Sequence, residues 1–526
     1  MNQSATLKMT TKTDAIISHD GKKSLLGIIG ISLFLFGFAI FIATLFIGEY
    51  TFSNEAFHRA ADKVPAEILE KLDPLRGTNF SSRFTALAAI EKHINGDGKL
   101  QPYQLGEYKF WILKSAVSGT VREQTSTLFF LSIGLAAIGA LLFFFPGLKT
   151  PPGIKHNGIF FSSVMNRGLP GILLGVFLIS FYIMLYWFPE FLVNLIILVD
   201  PVSQLLKGMQ ADRWFLYGFL YTIAVTVMGI RMFIKYRHNR YQLIRTTSVI
   251  FFQFSFAFLM PAILERLHQP GMDLKNAWPL NYTFFMDWNL NSLLGSGKLG
   301  IFMFVWGIIL SLVIIPLFAF LFGKRWYCSW VCGCGGLAET LGDPFRQLSN
   351  KSVKAWRIER GLIYSVLVFA IVMTAMQIVN YTSNGVIFGN YTWRVNQAYS
   401  FLIGAAFAGV VGTGFYPLMG NRMWCRFGCP LAAILGIVQK FKSRFVITTN
   451  GGQCISCGNC STYCEMGIDV RWYAQRGQNI VRASCVGCGV CAAVCPRGVL
   501  KLENVNPSER YNVVLDDEIL SVMQKN

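Results

Sequence analysis

Apolar residues in this chain fall in long, nearly unbroken runs instead of the short alternations of a soluble protein. Eight runs approach roughly 20 residues, the length a helix needs to cross about 30 Å of hydrocarbon. They are 26–47, 126–145, 169–187, 214–234, 246–264, 299–322, 361–379 and 400–419. The first exceeds the apolar core of a signal peptide and follows a polar tail, so it reads as a retained anchor. Polar intervals divide the chain further. There is a tail over 1–25, the anchor over 26–47 and an extracytoplasmic helical segment over 48–125. Transmembrane helices two to five occupy 126–264, helices six to eight occupy 299–445, a small cysteine-rich domain occupies 446–505, and a second tail runs over 506–526. Within 48–125, Ala56, Phe57, Ala60, Val64, Ile68 and Leu72 recur at helical spacing. The expected fold is mainly α: a polytopic transmembrane helical protein of about eight spans with a C-terminal α+β domain.

Composition removes the alternatives. Of 526 residues, 53% are hydrophobic and 14% charged, and the mean hydropathy is +0.45. Soluble domains carry about 25% charged residues, so neither a soluble globule nor a disordered chain fits. The 49 glycines suit close helix packing in lipid. A net charge of +19 would suit nucleic acid, but its distribution does not. With eight spans both termini share one side. That side carries 30 of the 47 Lys and Arg residues but only 12 of the 28 Asp and Glu residues, so nearly all the excess lies there. The positive-inside rule makes that side cytoplasmic and the charge a topology determinant, with no nucleic-acid partner.

Smaller signals carry less. Arg231, in the fourth run, is expected to snorkel toward the headgroups. His19, His58, His93, His156, His238 and His268 all fall outside the runs, which leaves no axial pair for haem. Asn95–Leu100 imitates part of a calcium loop, but Gln104 stands where a glutamate is needed, so it reads as a turn. Ser118-Gly119-Thr120 is too short a match for a flavin attachment site. The sequence contains no nucleophile–base pair, phosphate loop or dinucleotide fingerprint, and no catalytic residue is assigned.

All 13 cysteines lie between Cys328 and Cys495. Clustering on one side of a membrane reads as metal ligation rather than a disulfide framework. Cys454, Cys457, Cys460 and Cys464 follow C-x2-C-x2-C-x3-C, and Cys485, Cys488, Cys491 and Cys495 repeat it, with Pro496 next. This is the two-cluster bacterial ferredoxin spacing, in which the fourth cysteine of each run ligates the other cluster. The first [4Fe-4S] cluster is therefore expected on Cys454, Cys457, Cys460 and Cys495, and the second on Cys485, Cys488, Cys491 and Cys464. Glu465 stands where a proline would follow the first run. A domain of this size has too little core to fold without its metal. Zinc sites use C-x2-C pairs about 15 or more residues apart, a poor match to two uninterrupted runs.

The other signal is an internal repeat. Gly323–Gly333 follows the sixth run and Gly420–Pro430 the eighth, and both read G-x-R-x-aromatic-C-x3-C-[GP]. Cys328 and Cys332, with Cys425 and Cys429, are expected at the cytoplasmic boundary. They make either a four-thiolate metal or redox site or a set of packing thiols. Cys334 is an additional thiol. The apolar stretch Leu431–Phe445 either lies along the interface or simply connects the two regions.

The two tail runs, Cys328-x3-Cys332 and Cys425-x3-Cys429-Pro430 resemble the membrane polyferredoxin family, the NosR/NapH/CcoG-like 4Fe-4S electron-transfer proteins, over about residues 299–505. Members have C-x3-C-P twice; here Gly333 replaces the first proline. The resemblance implies a bacterial inner-membrane, multi-pass respiratory protein with a cytoplasmic ferredoxin-type domain. It would relay electrons between its iron–sulfur clusters and a membrane or extracytoplasmic oxidoreductase, its partners being the lipid membrane, a reductase or oxidase, and the quinol pool. The alternatives it allows are an assembly factor that reduces or delivers copper for a respiratory metalloenzyme, and a structural subunit of a respiratory complex. Each makes the chain a non-catalytic component rather than an enzyme with its own substrate.

Overall fold

The computed structural model describes residues 25–95, 100–147, 169–507 and 510. The two tails, the turn at Asn95–Leu100, and His19 and His156 lie wholly or largely outside the described residues. Among the described residues, seven helices are long and apolar enough to cross a membrane: α1 Leu25–Thr44, α2 Thr125–Phe145, α4 Arg213–Lys235, α5 Arg240–Arg266, α6 Gly297–Phe322, α7 Val353–Thr382 and α8 Asn390–Gly414. Between α2 and α4, α3 (Leu169–Trp187) is an eighth candidate, continued by Pro189–Leu198 across a 115° bend. The protein is a multi-pass membrane protein. Its helices show lipid-facing apolar side chains such as Leu35, Phe36, Leu173, Leu312 and Val368. The α1–α2 pair approaches at backbone distance. A Cβ on Gly30 or Gly139 would collide with the other helix's main chain, the small-residue contact that joins helices in lipid.

Segment 48–125 contains the expected helices, Asn54–Ala61, Arg83–Ile94 and Pro102–Ala116 among them, and adds a sheet. Strand β1 (Glu49–Thr51) pairs antiparallel with β2 (Asn79–Phe80) and β3 (Val117–Ser118), Tyr50 standing opposite Phe80 and Val117. Phe52, Ile90 and Leu113 form its core. The buried stretch Val193–Leu198 after the α3 bend packs into the same core, and Arg83 ties the unit down by donating to the Phe191 and Leu45 carbonyls at 2.7 and 2.6 Å.

Two segments turn back into the helical bundle, and they position the site. After α6, Gly323 takes a left-handed φ of 71° that reverses the chain. The Tyr327 hydroxyl then reaches the Lys275 carbonyl at 2.7 Å. The loop bearing Lys275 descends from the opposite ends of α5 and α6; its Trp278 donates to Thr374 in α7 at 2.9 Å. α9 (Pro430–Phe441) follows the second copy of the repeat and buries Leu431, Ala432, Leu435 and Gln439, leaving Ile437 and Phe441 outward. It connects the bundle to the C-terminal domain, where β4 (Phe445–Thr449) pairs antiparallel with β5 (Leu500–Asn504) and closes that domain's ends.

Candidate metal centres

In the C-terminal domain each cysteine run wraps a tight loop. Ser456 and Gly487 follow the first cysteine of their runs by two residues, and both take positive φ, 57° and 61°. Gly458 and Gly489 repeat this after the second cysteine, with φ of 79° and 74°. These left-handed turns point successive thiols inward, and glycine adopts them without strain. The loops bring the sulfurs together across the repeat. One cavity of about 360 Å³ is lined by Cys454, Cys457, Cys460 and Cys495; a second of about 380 Å³ by Cys464, Cys485, Cys488 and Cys491. Every one of the 13 cysteines is a free thiol. Each pocket thus offers four soft donors, a set suited to an iron–sulfur cubane. Burial pushes the Cys460 and Cys485 thiols up to about 11, so metal binding there must release protons.

The two pockets differ in surroundings. The first opens outward: Cys457 and Ile455 are exposed, and Arg471 and Arg497 sit at its rim. The second is clamped by the membrane portion. Tyr241 and Gln242, at the start of α5, donate to the Gly487 and Cys488 carbonyls at 2.8 Å each. Gln439 of α9 donates to the Cys485 carbonyl at 2.7 Å, and Ser329 to the Val486 carbonyl at 2.9 Å. Ser329 follows Cys328 and Val486 follows Cys485, so one hydrogen bond links a side-chain hydroxyl of the membrane motif to the backbone of the inner pocket.

The first C-x3-C motif folds back along α4 and α5. The Val331 carbonyl accepts from Gln253 of α5 at 2.7 Å, and the Gly333 carbonyl from Tyr221 of α4 at 2.8 Å. At 1.5 Å per residue both contacts lie roughly 20 Å along their helices from the ends nearest the ferredoxin-like domain. The reversal at Gly323 sends the chain back inward, which a count of apolar runs does not reveal. Cys328, Cys332, Cys425 and Cys429 are all buried, share one apolar core with Cys460, Cys485 and Cys491, and lie close enough to act electrostatically on one another. Cys334 sits beside Cys332. Cys425 is carried on a widened π-turn, Trp424–Gly428, and α5 has another over Phe252–Leu259, where Gln253 reaches the first motif.

Sequence reasoning missed the charge network joining these regions. Glu339, Asp343 and Glu465 face Arg231, Lys235, Arg245, Arg346 and Arg422, and every side chain is at most 5% exposed. Arg231 does not snorkel: it donates to Asp343 at 2.6 Å, and Lys235 donates to the same oxygen at 2.7 Å. Burial alone would raise the Asp343 carboxyl, but Lys235, Arg346 and Arg231 hold it well below the ordinary range. Arg422 contacts Glu339 at 2.6 Å and Glu465 at 2.9 Å, and its other amino group lies 3.7 Å from the Cys425 sulfur. Glu465, which stands where a proline was expected, is thus a buried anchor between the ferredoxin-like domain and the bundle. Five cations against three carboxylates leave an excess of two positive charges. Anionic thiolate-ligated clusters would offset that excess.

Comparison with known proteins agrees with this geometry. A family model described as a 4Fe-4S dicluster domain matches residues 453–500. Another, described as a 4Fe-4S binding domain, matches twice, over 304–352 and 399–448, the two copies of the membrane repeat. The region bearing these motifs resembles the membrane polyferredoxins. It is similar to YccM of Escherichia coli, named for electron transport, at 26% identity over 28% of this chain and 43% of that protein. It is also similar to the methylamine utilization ferredoxin-type protein MauN of Methylorubrum extorquens, at 29% identity over 30% of this chain and 53% of MauN. The ferredoxin-type protein NapH of Haemophilus influenzae matches at 24% identity over 30% of this chain and 53% of NapH. The chain spans about half the length of the curated relatives it matches. No solved structure matches it.

Proposed function

We propose that this protein carries electrons from the face of its ferredoxin-like domain into the membrane, toward a respiratory oxidoreductase partner in or beyond the bilayer. Bound [4Fe-4S] clusters would supply the one-electron chemistry. Cys454, Cys457, Cys460 and Cys495 hold one cluster beside the solvent-facing rim, where a soluble redox partner docks; Cys485, Cys488, Cys491 and Cys464 hold the other against the bundle. Cys328, Cys332, Cys425 and Cys429 hold a further metal centre, iron–sulfur in kind. The observation that carries this reading is their burial in one core with the inner pocket, next to the Ser329–Val486 hydrogen bond. The chain's residues position the centres, insulate them and set their charge. The termini are cytoplasmic, and the membrane is the bacterial inner membrane.

Iron analysis of anaerobically purified full-length protein tests the proposal. About twelve iron atoms per chain are expected, four per centre, falling to about eight in Cys332→Ala. A wild-type value of eight that Cys332→Ala leaves unchanged would remove the membrane centre from the account.

A further inference from the structure

A third cleft lies where the bundle meets the ferredoxin-like domain. Its volume is about 630 Å³, and it opens between the first turns of α7, the face of α9 and the loop Val481–Ser484. Its lining is markedly basic. Lys324, Arg360, Arg426, Lys440 and Arg482 border it, and among the described lining residues the one carboxylate is Glu359. Glu359 already accepts from Arg426 at 2.7 Å. Lys324 is buried and donates to the Ala483 carbonyl at 3.1 Å, and it also faces the thiols of Cys328 and Cys425. Of the other three, Lys440 stands beside Phe441, Arg482 donates one hydrogen bond to the neutral Tyr473 hydroxyl at 3.1 Å, and neither Arg482 nor Arg360 meets a carboxylate of the lining. Both guanidinium groups pack on the Trp356 ring, at 4.2 and 4.5 Å from its centroid. Two like charges gathered on one indole repel each other unless an anion lies between or beside them.

The level of the cleft indicates the source of that anion. Trp356 and Arg360 stand just before α7 becomes apolar at Gly361, and Ile358, Ile437 and Phe441, each next in sequence to a lining residue, are exposed apolar side chains. An indole with arginines at such a boundary is the side-chain set found at lipid headgroups. Basic pockets between helices take phosphate headgroups, and a guanidinium matches phosphate oxygens two at a time. We propose that this cleft binds the phosphate group of an anionic membrane lipid through Arg360 and Arg482, with Lys440 at the rim. The lipid would pin the ferredoxin-like domain to the bundle beside Cys425. The site is independent of which metals the cysteines hold.

The test uses the full-length protein in nanodiscs and in detergent. Vesicle-derived phosphatidylglycerol should be retained by the detergent-purified protein in native mass spectrometry. Adding it should raise the melting temperature, and phosphatidylcholine should not. Replacing Arg360 with Gln together with Arg482 with Gln should abolish both effects, whereas the Arg360→Lys variant should keep most of the retention. Equal stabilisation by inorganic phosphate at the same concentration, with no lipid retained, would overturn the lipid source and leave a soluble phosphate-bearing ligand. Retention and stabilisation unchanged in the double variant would overturn the site itself. If the double variant does not fold, absence of any phosphatidylglycerol effect on the wild-type protein still overturns the proposal.

Discussion

Asp343 takes two hydrogen bonds from Arg231 and Lys235 on one oxygen and a third from Arg346 on the other, at 2.6, 2.7 and 2.9 Å, all without solvent. Removing one member of such a set leaves its partners charged and buried. Asp343→Asn is therefore expected to destabilise the protein by roughly 3–5 kcal/mol, seen as a lowered melting temperature in detergent. Melting within a degree of wild type would show that water reaches the network. Arg422 makes a different prediction, because it stands between Cys425 and Glu465. Its positive charge favours the more negative, reduced form of any centre nearby. Arg422→Gln should lower the midpoint potential of the inner centre, read by EPR-monitored titration, while Arg422→Lys restores most of the shift. Spacing makes the first three thiols of each tail run neighbours by local geometry, while the fourth lines the other run's pocket. The ion network could not be read from spacing: apart from Arg346, the cationic partners of Glu339, Asp343 and Glu465 are far from them in sequence, and nothing local marks an arginine in an apolar helix as paired rather than snorkelling.

At the scale of elements, the spans were legible and the reversals were not. An apolar run announces itself by length. A segment that leaves a helix and folds back into the bundle carries short, mixed sequence whose depth depends on what it meets. The first C-x3-C segment depends on small residues where it packs: a Cβ on Gly335 would overlap the Cys328 carbonyl, and one on Gly336 would press on Val249 and Gln253. Gly335→Ala should displace the motif and remove iron from the membrane centre while sparing the tail domain. Metal analysis of that variant beside Cys332→Ala checks this; full wild-type iron would contradict the packing argument. Segment 48–125 yielded its helices to sequence pattern, but its strands of two or three residues are too short to show a period; Tyr50 stands opposite both Phe80 and Val117.

For the whole molecule, the geometry sets the two tail pockets and the C-x3-C thiols in sequence from an exposed rim toward the middle of the helices. The positive-inside rule, applied to the charge along the chain, implies a cytoplasmic ferredoxin-like domain, and the proposed direction of transfer depends on it. Reporter fusions should then show the C-terminal domain in the cytoplasm and residues 49–118 on the opposite face; the reverse pattern would remove the assigned direction of transfer. The account's central claim is that the eight tail cysteines hold two iron–sulfur clusters. Iron, sulfide and zinc analysis with low-temperature EPR, on anaerobically purified full-length protein and its Cys457→Ala variant, tests it most directly. The account predicts at least eight iron and eight sulfide per chain, with about four of each lost in the variant. Stoichiometric zinc, with iron near zero, would contradict it.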